Sequence, residues 1–196
     1  PEGFQNVPKY LQLVDETAGY IKSLDSNHLV STGSEGIIGS LRNEDIYRST
    51  HMSHHIDYMT MHLWPSIWKW IDPLDQETTF PSAIDSSFDY IIQHLRAARL
   101  EKKPLVLEEF GMLRDNGAYG KEIPTTIRDR FFVFIFSMIH DSARSGAPIA
   151  GSNFWAWGGD GFARQIDYMW KNGDPFTGDP PHEPQGMHSV YNSDYS

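Results

Sequence analysis

Glu108 and Glu109 are adjacent carboxylates at the end of the run Pro104-Leu105-Val106-Leu107, and Phe110-Gly111 follows them. The apolar triplet Leu105–Leu107, preceded by proline and closed by glycine, predicts a short buried strand of the parallel type. Polar groups at the C-terminal tip of such a strand stand where α/β barrels and open α/β sheets keep their active sites. Side chains alternate along a strand, so the two glutamates point to opposite faces and only one can look into a barrel mouth. Carboxylates there either act on a bound ligand or belong to buried ion pairs, and the two residues alone leave both open. Aromatic residues supply a second chemistry. Trp64, Trp68 and Trp70 fall within seven residues, and Trp155 and Trp157 close another apolar run. Indole faces stack on the C–H faces of pyranose rings, and they also pin long loops to a scaffold. Trp64 lies nearest a strand end and is the first candidate to face a ligand.

These residues need elements to hold them. Val7 to Leu24 predicts a helix, with Leu11, Val14, Ala18 and Ile21 on one stripe. His28 to Thr32 predicts a strand, followed by Gly33-Ser34-Glu35-Gly36, which puts Glu35 at its C-terminal end. Asp57 to Leu63 predicts the next strand, with His62 near its end. Ser82 to Arg99 predicts a helix capped by Ser82, with Ile84, Phe88, Ile91, Ile92, Leu95 and Ala98 on one face. After the strand that carries Glu108 and Glu109 comes a polar, glycine-containing loop from Met112 to Glu122. Pro124 to Ala143 predicts a helix with proline in its first turn. Ile149 to Trp157 predicts a fourth strand, on which alternation would give Trp155 and Trp157 one face. Alternation of strands and helices implies a parallel sheet. Each strand carries polar or aromatic residues at its C-terminal end: Glu35, His62 with Trp64, Glu109, and Trp155. Four such ends fit one barrel mouth better than the switch point of a doubly wound sheet, and no glycine-rich phosphate loop opens a helix.

Composition narrows the ligand. The 196 residues carry 26 acidic and 16 basic side chains, a formal net charge of −10. That balance argues against nucleic acid and polyanionic ligands. With no cysteine there is no disulfide and no thiolate chemistry. No run of about 18 apolar residues predicts a membrane span. The chain starts Pro-Glu-Gly rather than with Met, so a missing leader peptide carries little meaning. His51, His54 and His55 cluster in sequence, but no acidic residue stands at ligand spacing, so no metal is expected there. Asp174 and Asp179 do not follow the spacing of an EF-hand loop, so the tail is expected to be an ordered loop without metal.

Five segments carry a resemblance: Ser31–Gly36 (STGSEG), His62–Trp70 (HLWPSIWKW), Pro104–Gly111 (PLVLEEFG), Gly151–Gly158 (GSNFWAWG) and Asp179–Ser193 (DPPHEPQGMHSVYNS). In this order the chain resembles glycoside hydrolase family 5, and within it the endo-β-1,4-mannanases. The resemblance implies an α/β fold of the (β/α)8 TIM-barrel type. This chain would supply about four βα units, strands five to eight, as the C-terminal half of one catalytic domain. It implies Glu109 as nucleophile, with His62 as a donor that keeps it ionised. His62, Trp64, Trp68, Trp155, Trp157 and Glu35 are the implied substrate contacts. Trp155 would lie under the sugar at the cleavage point, with Trp157 as its alternative. Trp64 stands where many relatives have tyrosine, and Ile67 where a polar residue is usual. The family's acid/base glutamate follows asparagine in an Asn-Glu-Pro motif. That motif does not occur here, since Asn43-Glu44 is followed by Asp45. The acid/base is therefore expected in a segment preceding Pro1, within an N-terminal half of the barrel. The implied substrate is a mannan, glucomannan or galactomannan, with no cofactor, and the implied location is secreted or periplasmic. A β-1,4-glucanase of the same family and an inactive carbohydrate-binding half-barrel are the alternatives. Glu35 is the only other strand-end carboxylate that could stand in as the acid.

Overall fold

The computed structural model describes residues 2–194. In chain order the elements are α1 (Glu2–Leu24), α2 (Glu44–His51), β1 (Met59–Leu63), α3 (Gln76–Glu101), β2 (Leu105–Phe110), a 3-10 turn (Asp115–Gly117), α4 (Thr126–Arg144), β3 (Ile149–Phe154), β4 (Trp157–Gly159) and β5 (Val190–Tyr191). β1, β2 and β3 form one sheet in that order. They run parallel. The Met59 amide donates to Pro104 O at the strand starts (2.8 Å), the Leu105 amide to Pro148 O (2.6 Å), and the Trp155 amide to Phe110 O at the strand ends (2.8 Å). α3 and α4 are the crossovers that parallel neighbours require.

Contacts divide the chain into two compact units. The first comprises Pro1–His62, Asp89–Glu108 and Ile139–Ser152, and the second Leu63–Phe88, Glu109–Met138 and Asn153–Ser196. In the first, Tyr47, Met59, Met61, Ile91, Leu105 and Leu107 are buried. Ala18, Val30 and Ile56 form a smaller cluster with Val14 of α1. In the second, Phe110 sits edge-on to Phe131, Phe132 and Phe136 of α4, at 6.4, 5.3 and 5.7 Å between ring centres.

Several expected boundaries move. α1 begins at Glu2, well before Val7, with Pro8 tolerated near its start. The expected strand at His28–Thr32 is not one. The chain there is extended alongside β1, tied by the Asp57 amide to Val30 O (2.8 Å) and the His62 amide to Glu35 O (3.0 Å). Side chains take the places of the remaining ladder bonds. The Val30 amide donates to the Asp57 carboxylate, Ser31 Oγ to Tyr58 O and Thr60 Oγ1 to Ser34 O. α2 was not expected. Asn43 caps it by accepting from the Ile46 amide at 3.0 Å, and Glu44 and Asp45 complement its N-terminal dipole. α3 starts at Gln76, so Ser82 is not its cap. Ser82 Oγ lies inside the helix and donates to Thr79 O. Pro124 likewise lies outside α4, whose first turn is tied by Thr125 Oγ1 to Asp129 and by the Ile127 amide to Asp115 Oδ1. The expected strand Ile149–Trp157 stops at Phe154, and a cis peptide joins Trp155 to Ala156. β4 then pairs in parallel with β5, Trp157 opposite Val190. Trp155 and Trp157 therefore do not share the face of one strand. Among the described residues no helix is long and apolar enough to cross a membrane.

Candidate active site

The first unit positions His62, Glu108 and Glu35. His62 lies on β1 and its Nε2 stands 3.6 Å from Glu108 Oε2 on β2, a charge-pairing distance beyond hydrogen-bond reach. The His62 amide fixes the backbone of Glu35. Glu35 follows Gly33, which adopts a φ of 62°, and its side chain lies against Gly39. Glu35 lines a cavity of about 420 Å³ with Thr32, Gly33, Asn6 and Tyr10. Behind it, His94 accepts from the Ile37 amide at 3.0 Å and the Tyr90 hydroxyl accepts from the Ile38 amide at 3.2 Å, fixing the turn that carries Glu35. Burial lowers His94 to about 4, so this acceptor is neutral near pH 7.

The second unit positions Glu109, Trp64 and Trp155. Glu109 is half-buried on β2, one peptide bond from Glu108. Past Phe110, Gly111 is crowded on three sides. A β-carbon there would stand 2.7 Å from Trp64 Cζ3, 2.9 Å from Trp155 O and 3.2 Å from His188 Cδ2. Trp64 is buried and meets His188 edge-on, with ring centres 4.8 Å apart. Trp155 is half-buried, whereas Trp157 is 62% exposed on β4. Trp68 is half-buried and stacks edge-on with Trp70 at 4.9 Å. The Trp68 amide returns to Trp64 O, so the tryptophan loop is a wound turn rather than an open loop.

Sequence reasoning missed His188, and it weighed Asp179 only as a calcium ligand. His188 is 2% exposed, and burial holds it down to about 4, so it is a neutral ring. Asp179 accepts from the Gly186 amide (2.7 Å), the His188 amide (2.9 Å) and Ser189 Oγ (2.5 Å), shaping the loop that brings His188 under Trp64. Burial pushes its pKa up against those bonds. The only sequence signal was the likeness of Asp179–Ser193 as a block, because a proline- and glycine-rich tail has no periodicity to read.

Among the described residues, two groups of side chains could hold a metal. Asp179, Glu183 and His188 form one, but the Asp179 oxygens are already engaged by the loop amides and Ser189. Asp15, His54 and His55 form the other. The sequence argument that no acid stands at ligand spacing fails in space, since α1 delivers Asp15. His51 is not part of that group. It is buried between Thr32 and Tyr47 O.

Mannan endo-1,4-beta-mannosidase 4 of Solanum lycopersicum is 34% identical over 157 residues, covering 76% of this chain and 37% of that protein. A crystal structure of a glycoside hydrolase family 5 mannosidase from Rhizomucor miehei superposes with a TM-score of 0.83 at 34% identity, over 92% of this chain and 44% of that one. The endo-1,4-beta-mannanase of Rhizomucor miehei superposes at 0.55 over 77% of this chain and 38% of its own, and at 24% identity it speaks for the fold alone. The chain thus spans less than half the length of each of these three relatives. A family model described as GH family 5 beta-mannosidase-like matches residues 1–196, and the chain belongs to that family.

Proposed function

We propose that the protein containing this chain hydrolyses internal β-1,4-mannosidic bonds of mannan, glucomannan or galactomannan with retention, and that Glu109 is its nucleophile. The observation that carries this reading is the strand end Glu109-Phe110-Gly111, with Trp64, Trp155 O and His188 closed around Gly111. In this reading the 196 residues supply about four βα units of a (β/α)8 barrel, with the stretch at His28–Thr32 in the place of its fifth strand and β1 to β3 in the places of the sixth to eighth. Exposed apolar residues Leu13, Tyr20 and Leu24 on α1, and Leu29 beside it, suit an element that is covered in the whole protein.

Glu109 attacks the anomeric carbon and forms a glycosyl-enzyme, which water then hydrolyses. A second carboxyl, about 5–5.5 Å away, protonates the leaving oxygen and later activates the water. The Asn-Glu-Pro motif that would carry this group is not among these residues, so we assign it to the remainder of the protein. Trp155 forms the floor under the cleaved unit. His62, Trp64, Trp68, Trp157 and Glu35 extend the sugar contacts. The reaction needs two carboxyls and water and no cofactor. A polymeric substrate fits an enzyme that works outside the cytoplasm, secreted or periplasmic.

The test is Glu109→Gln in the full-length enzyme, assayed on mannan beside carboxymethylcellulose. Loss of mannan hydrolysis by several orders of magnitude is expected, with Glu108→Gln retaining measurable turnover. Unchanged activity of Glu109→Gln would sink the assignment. A second reading is release of single mannose units from chain ends, favoured by the likeness to the Rhizomucor mannosidase. Early products separate the two, since internal cleavage gives oligosaccharides and end-wise cleavage gives mannose.

A further inference from the structure

We infer that Asp15, His54 and His55 form a site for one Zn²⁺ ion that ties α1 to the turn before β1. Each side chain offers one ligand atom, and no two of these atoms lie farther apart than 4.8 Å. All three residues belong to the first unit, and the two histidines precede β1, at the opposite end of that strand from His62. The site is thus separate from the chemistry proposed above and does not depend on it.

The surroundings bring the three groups together. Ser53 Oγ donates to Asp15 Oδ1 at 2.6 Å and accepts from the His55 amide at 3.1 Å, so one hydroxyl links the acid to the histidine turn. That bond leaves Asp15 Oδ2 for a ligand role. The His55 ring lies over Gly19, where a β-carbon would stand 3.0 Å from Nε2. Gly19 is one helical turn from Asp15, so the same face of α1 supplies an acid and a seat for an imidazole. The Lys103 ammonium gathers the carbonyls of His51, Ser53 and Ile56, which fixes the backbone of the turn. The rings of His54 and His55 already lie close, with centres 3.7 Å apart and planes at 42°.

Two imidazole nitrogens, one carboxylate oxygen and a water make a four-coordinate zinc site. Bonds of about 2.0–2.2 Å from one centre set the ligand atoms roughly 3.3–3.5 Å apart. The gap from 4.8 Å is closed by rotating Asp15 and His54, both of which are exposed. Nitrogen donors select a borderline ion such as Zn²⁺ over Ca²⁺ or Mg²⁺, which prefer an all-oxygen shell. Outer partners such as Ser53 tune affinity by about 10- to 100-fold.

The experiment titrates the metal-free full-length protein with Zn²⁺ by calorimetry and follows its melting temperature. Saturable binding is expected, with a rise in melting temperature that chelator reverses and that Ca²⁺ and Mg²⁺ do not produce. Asp15→Asn and His54→Ala should each weaken this binding at least tenfold, and both side chains are exposed, so the core is left intact. Ser53→Ala should weaken it by about tenfold without removing a ligand. His28→Ala, an exposed histidine paired with Asp25 on the same unit, should leave it unchanged. Absence of saturable binding overturns the inference. So does binding that survives Asp15→Asn and His54→Ala within twofold, or that falls equally in His28→Ala.

Discussion

Removing the Asp194 carboxylate should cost the protein a large share of its stability. Arg114 Nη2 donates to both Asp194 oxygens at 2.8 Å, and Arg128 Nη2 donates to Oδ2 at 2.8 Å. The side chains of Arg114, Arg128 and Asp194 are only 1%, 2% and 4% exposed. The Tyr191 amide donates to the same carboxylate at 2.9 Å. In Asp194→Ala, Arg114 keeps Ile123 O and Arg128 keeps Ser189 O, but Arg114 loses its counter-charge and Arg128 is left with only the half-exposed Asp129, 3.8 Å from its Nε. Breaking a buried pair from one side costs about 3–5 kcal/mol. Whole domains are stable by about 5–15 kcal/mol. With a urea slope of about 2 kcal/mol/M, the midpoint should fall by roughly 1.5–2.5 M at unchanged slope. Glu77→Ala is the matched control. Its pair with Arg130 is also 2.8 Å long, but the side chains are 70% and 46% exposed, and the cost should stay below about 1 kcal/mol. The pH dependence has a definite sign. Burial opposes the Asp194 charge, but the Tyr191 amide and the two guanidinium groups outweigh it and hold the pKa below 3.8. A carboxylate depressed in the folded state stabilises fully above its unfolded value, and the contribution fades as pH falls through the folded one. A loss under about 1 kcal/mol, or one equal to that of Glu77→Ala, would refute the reasoning.

Three further outcomes are expected. Glu109→Gln removes the proposed nucleophile and should abolish mannan hydrolysis while leaving the melting temperature within a few degrees. Gly111→Ala forces a β-carbon to within 2.7 Å of Trp64 and 2.9 Å of Trp155 O, so it should destabilise by about 1–3 kcal/mol and raise KM by shifting Trp64; wild-type KM would count against Trp64 as a sugar contact. His51 and His94 are both held down to about 4 by burial from an ordinary 6.5. The unfolded chain binds the extra protons first, so stability should fall as pH drops from about 6.5 towards 4, by up to roughly 3 kcal/mol per histidine. Urea midpoints that stay flat across that window would contradict the neutral, buried state of these rings.

The three long helices and the strands of the three-stranded sheet were legible because burial writes a period into sequence. α3 shows this in Ile91, Leu95 and Ala98, which are buried, although Phe88 of the same expected face is 44% exposed, and β2 shows it in Leu105 and Leu107 flanked by proline and glycine. The ends of elements were less legible, because caps depend on single bonds. Ser82 has the composition of a cap yet sits inside α3, while Asn43 caps α2 in a stretch without apolar rhythm. Local polar side chains can replace ladder bonds, and that defeated the strand expected at His28–Thr32. Its length and apolar content fit a strand, but Asp57, Ser31 and Thr60 took over the bonding.

The candidate site follows the same division. Residues that sit on strands, such as His62 on β1 and Glu108 and Glu109 on β2, could be located from sequence, because a strand tip is a place that periodicity can find. Trp155 and Trp157 could not be sorted, because alternation presumes one continuous strand and the chain leaves β3 at Phe154 to start another pairing at Trp157. His188 and Asp15 lie further out of reach. Each joins its partners through a fold-back: Asp179 curls the tail under Trp64, and α1 carries Asp15 to a turn far along the chain. A side chain brought in by such a return leaves no spacing in the sequence, so spacing arguments undercount ligands and positioning residues while still finding those that a single strand delivers. The histidines at 54 and 55 make the case directly. The acid nearest them in sequence, Asp57, is engaged by Lys22 and the Val30 amide, and the acid that reaches them belongs to a helix whose pattern reported only its apolar stripe.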